Sequence, residues 1–357
     1  VTSPLGDDLK RIIAQEGPIS LERFMALALG DPRYGYYMTR DPFGASGDFT
    51  TSPEISQMFG ELLGLWCVDL WLRAGSPAAL SLVELGPGRG TLMSDMLRAT
   101  KAVPGFHDAL TVTLVEMSPV LREIQKTTLR DAHRAIDWAQ DVSSLPKLPT
   151  LIVANEFFDA LPIRQYQKQK TGWHERLIGL NAAGDLAFGL AHNSFTPVSQ
   201  RGEDGDILEY SAVGMMIMED LASHLAHYGG AGLAIDYGYL ETQIGDTLQA
   251  MKAHAFVDPL EAPGEADITT HVDFQRLAHA AREQGLATQG PITQADLLER
   301  LGLATRAETL LKKANAEQAK DISSAVARLT ERTPQGMGHL FKALAFHHSS
   351  WPVPAGF

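Results

Sequence analysis

Leu82-Val83-Glu84-Leu85-Gly86-Pro87-Gly88-Arg89-Gly90-Thr91 joins an apolar strand to a helix through three glycines. Without a Cβ, Gly86, Gly88 and Gly90 let the backbone turn sharply and lie against a ligand, and the following helix offers free N–H groups at its start. A dinucleotide fingerprint, G-x-G-x-x-G, would place its third glycine at position 91, where Thr91 stands. Glu84, two positions before the first glycine, would repel a pyrophosphate. NAD and NADP are therefore not expected here; the carboxylate suits a ligand that carries a cation. The alternative is a tight glycine turn in an unrelated α/β protein.

The chain has 357 residues, enough to bury a substantial core in one large domain or two. Lys plus Arg is 30 against 43 Asp plus Glu, a net charge of −13, which disfavours nucleic acid and anionic lipid and favours a basic or neutral partner. Cys67 is the one cysteine, so neither an internal disulfide framework nor a multi-cysteine zinc site can form. No stretch approaches the ~18 to 20 uninterrupted apolar residues of a membrane span, and the first residues lack a signal-peptide core. The expected compartment is reducing.

Working outward, residues 1–80 read as a helical segment. Ser20 opens a helix, with Phe24, Leu27 and Ala28 on its apolar side and Gly30 as a left-handed stop before Asp31-Pro32. An aromatic turn follows at Tyr34-Gly35-Tyr36-Tyr37. Ser52 as N-cap and Pro53 at the first position are expected to start a longer helix. Its inward stripe is Ile55, Met58, Phe59, Leu62, Leu63, Trp66 and Leu70, with Trp66 and Trp71 as packing residues.

The central region, 81–293, alternates apolar runs with helical segments, which argues for an α/β fold whose parallel sheet is covered on both faces. Strands are expected over 82–85, 111–115, 151–154 and 231–235, with helices from Thr91 and over 211–228. Shorter alternating segments over 163–167, 173–180 and 185–190 read as an antiparallel meander inserted within 163–210. The last two strands are expected over 286–293 and 339–346. Between them, helices over 295–301, 304–314 and 317–332 form a substrate lobe, 294–335, over the open end of the sheet, and 336–357 hold the final strand and a tail. Glu116, at a strand's carboxyl end, can accept both hydroxyls of a ribose; a solvated loop glutamate is the plainer reading.

Two more segments narrow the choice. The glycine loop, E-x-G-x-G-x-G, resembles that of class I methyltransferases, whose ligand S-adenosyl-L-methionine has an amino cation for Glu84. Together with Gly47-Asp48-Phe49-Thr50-Thr51-Ser52-Pro53-Glu54 and Asn155-Glu156-Phe157-Phe158-Asp159-Ala160-Leu161-Pro162, it closely resembles the MidA-like family, in the same order over 34–346. That family groups bacterial proteins with the mitochondrial complex I assembly protein arginine methyltransferase. The resemblance implies a Rossmann-like class I fold and S-adenosyl-L-methionine as cofactor. Glu84, Gly86, Gly88, Gly90, Glu116, Asn155 and Asp48 would hold the cofactor, and Asp141-Val142 its adenine. It also implies a protein acceptor, with a subunit of the NADH:quinone oxidoreductase as the candidate, and neither metal nor nucleic acid.

Charge supports that chemistry. Methyl transfer is an in-line displacement, so most of the task is positioning. Arginine is a poor nucleophile because its guanidinium stays protonated, with a pKa above ~12. Carboxylates that pair with it orient the fork and draw charge toward the nitrogens that do not react. Glu156 and Asp159, at a strand's carboxyl end, are the candidates for this clamp, with Glu54 a distant third. Both could instead cap a following helix, and Asn155 with Glu156 could touch the cofactor's methionine portion. Two other functions fit the same residues: a methyltransferase acting on a small oxygen or nitrogen nucleophile, and a non-catalytic assembly chaperone that retains a cofactor site.

Overall fold

The computed structural model describes residues 3–41, 51–195 and 202–357. Its central sheet is built from β1 (Leu80–Leu85), β2 (Leu110–Val115), β3 (Ile136–Ala139), β4 (Thr150–Asn155), β5 (Gly230–Tyr239), β6 (Ala287–Thr293) and β7 (Phe341–His347). They lie in the order β6-β7-β5-β4-β1-β2-β3, and a two-residue strand, Val272–Asp273, pairs with the end of β5. Pairings among β1 to β5 are parallel, whereas β7 runs antiparallel to both β5 and β6. This is the Rossmann-like sheet that the resemblance implies, extended by the antiparallel pair β6 and β7. Chain direction across the sheet reverses between β1 and β4, which opens a crevice at their carboxyl ends, the place where such sheets bind ligands.

The apolar runs are continuous because both faces are covered. Leu80, Leu82, Leu151, Val153 and Leu233 face one layer, and Val83, Leu85, Ile152, Ala154 and Ala234 the other. The helices that matter to the site are α1 (Pro4–Glu16), α2 (Leu21–Gly30), α3 (Gln57–Arg73), α4 (Thr91–Thr100), α5 (Pro119–Thr128), α6 (Ala212–Tyr228) and α7 (Phe274–Glu283). The first layer is α3 and α4, extended by Leu297, Leu298, Leu303 and Leu329 of the 294–335 helices; α6 and α7 make the second. Arg306 of those later helices donates from Nε to the buried Glu61 of α3 at 2.6 Å.

A second core lies to one side. The strand Ile19–Ser20 pairs antiparallel with the meander strand Gly172–Leu180. Leu5, Leu9 and Ile13 of α1 and Phe24 and Met25 of α2 pack on the meander and on a three-stranded sheet formed by Gln249–Lys252, Ala255–Val257 and Asp267–Thr269. That small sheet, β3 and the strand Ile207–Tyr210 were not expected from the sequence. Trp66 and Trp71 are buried as packing residues.

Two expected helix ends differ. Gly30 is the last residue of α2 rather than a left-handed stop; Asp31 is the C-cap, because the residue before a proline is pushed out of the helical region. Ser52 is not the N-cap of the longer helix: Thr51 caps a single turn, Ser52–Ile55, that ends there. Ser56 is extended, with φ −161°, and its hydroxyl accepts from the N–H of Met58 at 3.2 Å, so α3 starts afresh. Among the described residues no helix is long and apolar enough to cross a membrane.

Candidate active site

The glycine loop follows β1 and turns through three left-handed residues, Gly86 (φ 59°), Gly88 (φ 52°) and Gly90 (φ 81°). Side chains are strained at such angles. At Gly86 there is also no room, since a Cβ would lie 2.9 Å from the Phe157 ring. Gly90 is the N-cap of α4 and Thr91 its first residue. Thr91 donates its hydroxyl to Glu54 Oε1 at 2.6 Å, so Glu54 anchors the start of α4 instead of standing free for an acceptor.

Glu84 and Asn155, at the ends of adjacent strands, line one recess with Gly86, Gly88 and Glu156. Both are buried, and Glu84 Oε2 and Asn155 Oδ1 have no hydrogen-bond partner among the described residues. Burial pushes the Glu84 carboxyl up to about 8, against a backbone hydrogen bond from Met93 and with Glu116 adding repulsion. Two buried acceptor oxygens without donors fit a ligand ammonium.

Glu116 ends β2 as a fixed acceptor. Its Oε1 accepts from the Ser118 N–H at 2.8 Å and its Oε2 from Gln125 Nε2 at 3.0 Å. Gln125, on α5, is fully buried and also donates to the Gly88 carbonyl at 2.7 Å while accepting from Trp138 Nε1 at 2.9 Å. One amide thus sets the spacing between the glycine loop, the β2 carboxylate and β3. Asp141 follows β3 exposed, with its carboxylate turned to the N–H of Ser143 at 2.9 Å, and Val142 is half-buried beside it. Asp48 lies outside the described residues.

A cavity of about 620 Å³ connects these parts. Gly86, Gly88, Glu116, Met117 and Val142 line it, as do Glu156, Asp159, Tyr37, Tyr237 and Asp267. Its acidic residues are Glu116, Asp141, Glu156, Asp159, Asp220 and Asp267; no Lys, Arg or His is among the described residues that line it. The rest is mostly apolar, with Met25, Leu29, Leu161 and Ile217 among the walls.

Glu156 and Asp159 follow β4 in a turn, not a helix, so neither caps a helix. Glu156 sits at φ 53°, a strained angle for a residue with a Cβ. Its Oε1 accepts from the Ser52 N–H at 2.9 Å and from Asn155 Nδ2 at 3.0 Å. Burial raises its carboxyl to about 7, offset in part by these donors. Asp159 is buried, pushed up to about 6 by burial, and hydrogen-bonded to the Tyr237 hydroxyl; its Oδ1 has no partner among the described residues. Asp236, within the carboxyl-terminal half of β5, builds the turn: Oδ2 accepts from the N–H groups of Phe157 at 3.1 Å, Phe158 at 2.9 Å and Asp159 at 3.2 Å.

The structure therefore brings Glu84, Gly86, Gly88, Glu116, Asp141, Val142, Asn155, Glu156 and Asp159 around one crevice, while Gly90 caps α4 and does not line it. Sequence reasoning gave no role to Gln125, Asp236, Tyr37, Tyr237 or Asp267. Asp236 had a signal in its place at the end of an apolar strand, and Tyr37 one in the aromatic turn; Gln125 and Asp267 had none.

Known proteins resemble the chain over the same regions. A family described as S-adenosyl-L-methionine-dependent methyltransferase matches residues 62–292. The mitochondrial protein arginine methyltransferase NDUFAF7 of Danio rerio is 40% identical over 327 residues, which is 84% of this chain and 77% of that protein. Its Homo sapiens counterpart is 38% identical over 340 residues, 88% of this chain and 76% of that protein. The structure of a COG1565 superfamily member from Burkholderia thailandensis, bound to S-adenosyl-homocysteine, superposes with a TM-score of 0.84 at 26% identity, covering 99% of this chain and 93% of that one.

Proposed function

The chain belongs to the S-adenosyl-L-methionine-dependent methyltransferase family, and from that premise we propose that it methylates arginine in a protein acceptor. One observation carries the acceptor class: the cavity shared by the glycine loop and the Glu156–Asp159 turn is lined by six carboxylates and has no basic residue among its described lining. An arginine side chain is an apolar stem with a cationic head, and a mostly apolar cavity that also carries carboxylates suits both halves.

On the donor side, Glu84 and Asn155 would take the amino group, Glu116 the ribose hydroxyls, and Val142 and Met117 would pack on the adenine. When bound, S-adenosylmethionine supplies a methyl group on a sulfonium. Glu156 and Asp159 would hold the guanidinium and draw its charge away from the attacking nitrogen. Glu156, held up to about 7 by burial, is also placed to take the proton that this nitrogen sheds. The arginine methyltransferase names of the relatives support this reading. The resemblance to the complex I assembly family supports an NADH:quinone oxidoreductase subunit as the acceptor, met in the bacterial cytoplasm or the mitochondrial matrix.

The test is methyl transfer to a purified subunit of that oxidoreductase, with mass spectrometry of the product, for the wild type, Glu156→Gln and Asp159→Asn. Amides keep size and remove charge, so each variant should lose turnover by ~100-fold or more, the scale of one preorganised electrostatic contact. Calorimetric affinity for S-adenosylhomocysteine should change little. Donor binding lost in step with activity would move both residues to the cofactor pocket, and methylated lysine or a small molecule in place of arginine would overturn the acceptor class.

A further inference from the structure

Asp267 opens the short strand Asp267–Thr269 of the second core, yet its side chain lines the same cavity as Glu156 and Asp159 and is 6% exposed. The hydroxyl of Tyr37 donates to Asp267 Oδ1 at 2.8 Å. Tyr37 also lines the cavity, and Asp159 lies near enough to disfavour its ionisation. Three residues after Asp267, the Thr270 N–H donates to the Asp159 carbonyl at 3.0 Å, so the strand end is stitched to the turn that carries the clamp.

We infer that Asp267, oriented by Tyr37, is a third anionic contact for the acceptor guanidinium, supplied by the second core and not by the sheet edge. The inference rests on the arginine reading of the cavity. A guanidinium has five N–H donors in one plane. Glu156 Oε1 already accepts from Ser52 and Asn155, and Asp159 is engaged by Tyr237, so each offers mainly one oxygen. Two single contacts leave the fork free to pivot, whereas a third fixes its plane, and displacement in line needs that plane fixed. The helices before Tyr37 then have a function beyond packing: they carry the hydroxyl that sets the third carboxylate.

The probe is an acetylated, amidated Gly-Gly-Arg-Gly-Gly peptide, with its citrulline counterpart as the uncharged control. Asp267→Asn keeps an acceptor for the Tyr37 hydroxyl but loses the charge; Tyr37→Phe keeps the ring and removes the hydroxyl that orients the carboxylate. Asp267→Asn should raise the acceptor KM about tenfold or more, the scale of a lost hydrogen bond to a charged group. Tyr37→Phe should raise it a few-fold, and the Kd for S-adenosylhomocysteine should stay within twofold in both. Binding of each peptide to the S-adenosylhomocysteine-loaded protein gives the same comparison without turnover. If the wild type treats the arginine and citrulline peptides alike, the arginine reading falls and this inference with it. If the wild type discriminates and Asp267→Asn does so equally well, or if donor affinity falls in parallel, only the third contact is overturned.

Discussion

Glu84 concentrates the site's electrostatics in one carboxyl. Burial holds it at about 8, so in the free protein it is mostly protonated at pH 7. A ligand ammonium beside it favours the charged form, and binding must then expel a proton. Titration with S-adenosylhomocysteine at pH 7, in buffers of different ionisation enthalpy, should show release approaching one proton, with affinity rising between pH 6 and 8. Glu84→Gln should abolish the release and weaken binding ~10-fold or more, one charge-assisted hydrogen bond being worth about 1.5 to 3 kcal/mol. No release from the wild type would place the ammonium elsewhere. Glu156 stores a different cost, its left-handed backbone, which the Ser52 and Asn155 hydrogen bonds keep in place.

Between elements, the decisive joint is α5 against the glycine loop. Gln125→Leu removes the donors to Gly88 and Glu116 and strands the Trp138 indole, so the loop and the β2 carboxylate lose their common spacer. Its Kd for S-adenosylhomocysteine should rise ~10-fold or more on a folded protein, judged from the loss of a hydrogen bond to a charged group. A lowered melting temperature with unchanged Kd would make Gln125 a packing residue only. The loop itself was legible because glycine spacing reports backbone angles directly, and β1, β2, β4 and β5 because fully buried strands are apolar throughout. β3 was not: Ile136-Asp137-Trp138-Ala139 is short, and as an edge strand it is only partly buried. The break before α3 was hidden because Ser52-Pro53 is a good helix start and the competing cap, Ser56, is visible only in its extended backbone. Glu156 and Asp159 could be named from their segment. Tyr37 and Asp267 reach the cavity by packing of the second core, which no local pattern encodes.

Across the whole molecule, the carboxylates gathered at the sheet edge oppose the free protein's stability. Glu84 and Glu156 bind protons more tightly folded than unfolded, so stability from this source is greatest at low pH and is lost as pH rises through about 7 and 8. His107, His224, His271 and His347 act oppositely: burial lowers each, so their cost grows as pH falls through the usual histidine range. Glu61, where Arg306 and Arg98 outweigh burial to lower the pKa, adds stability that is lost only at more acidic pH. Lys342, lowered by burial to about 8, gains influence above that pH. The window from pH 6.5 to 8 therefore belongs mainly to the sheet-edge carboxylates. Across it the free protein should lose about 1.5 kcal/mol through Glu84 alone, a fall of about 2 °C in melting temperature for a chain of this size. Saturating S-adenosylhomocysteine neutralises that burden at Glu84, so the gap between loaded and free melting temperatures should widen as pH rises through the window, and should widen much less in Glu84→Gln. A melting temperature of the free wild type that rises from pH 6.5 to 8 would show that these buried carboxylates are compensated without the ligand.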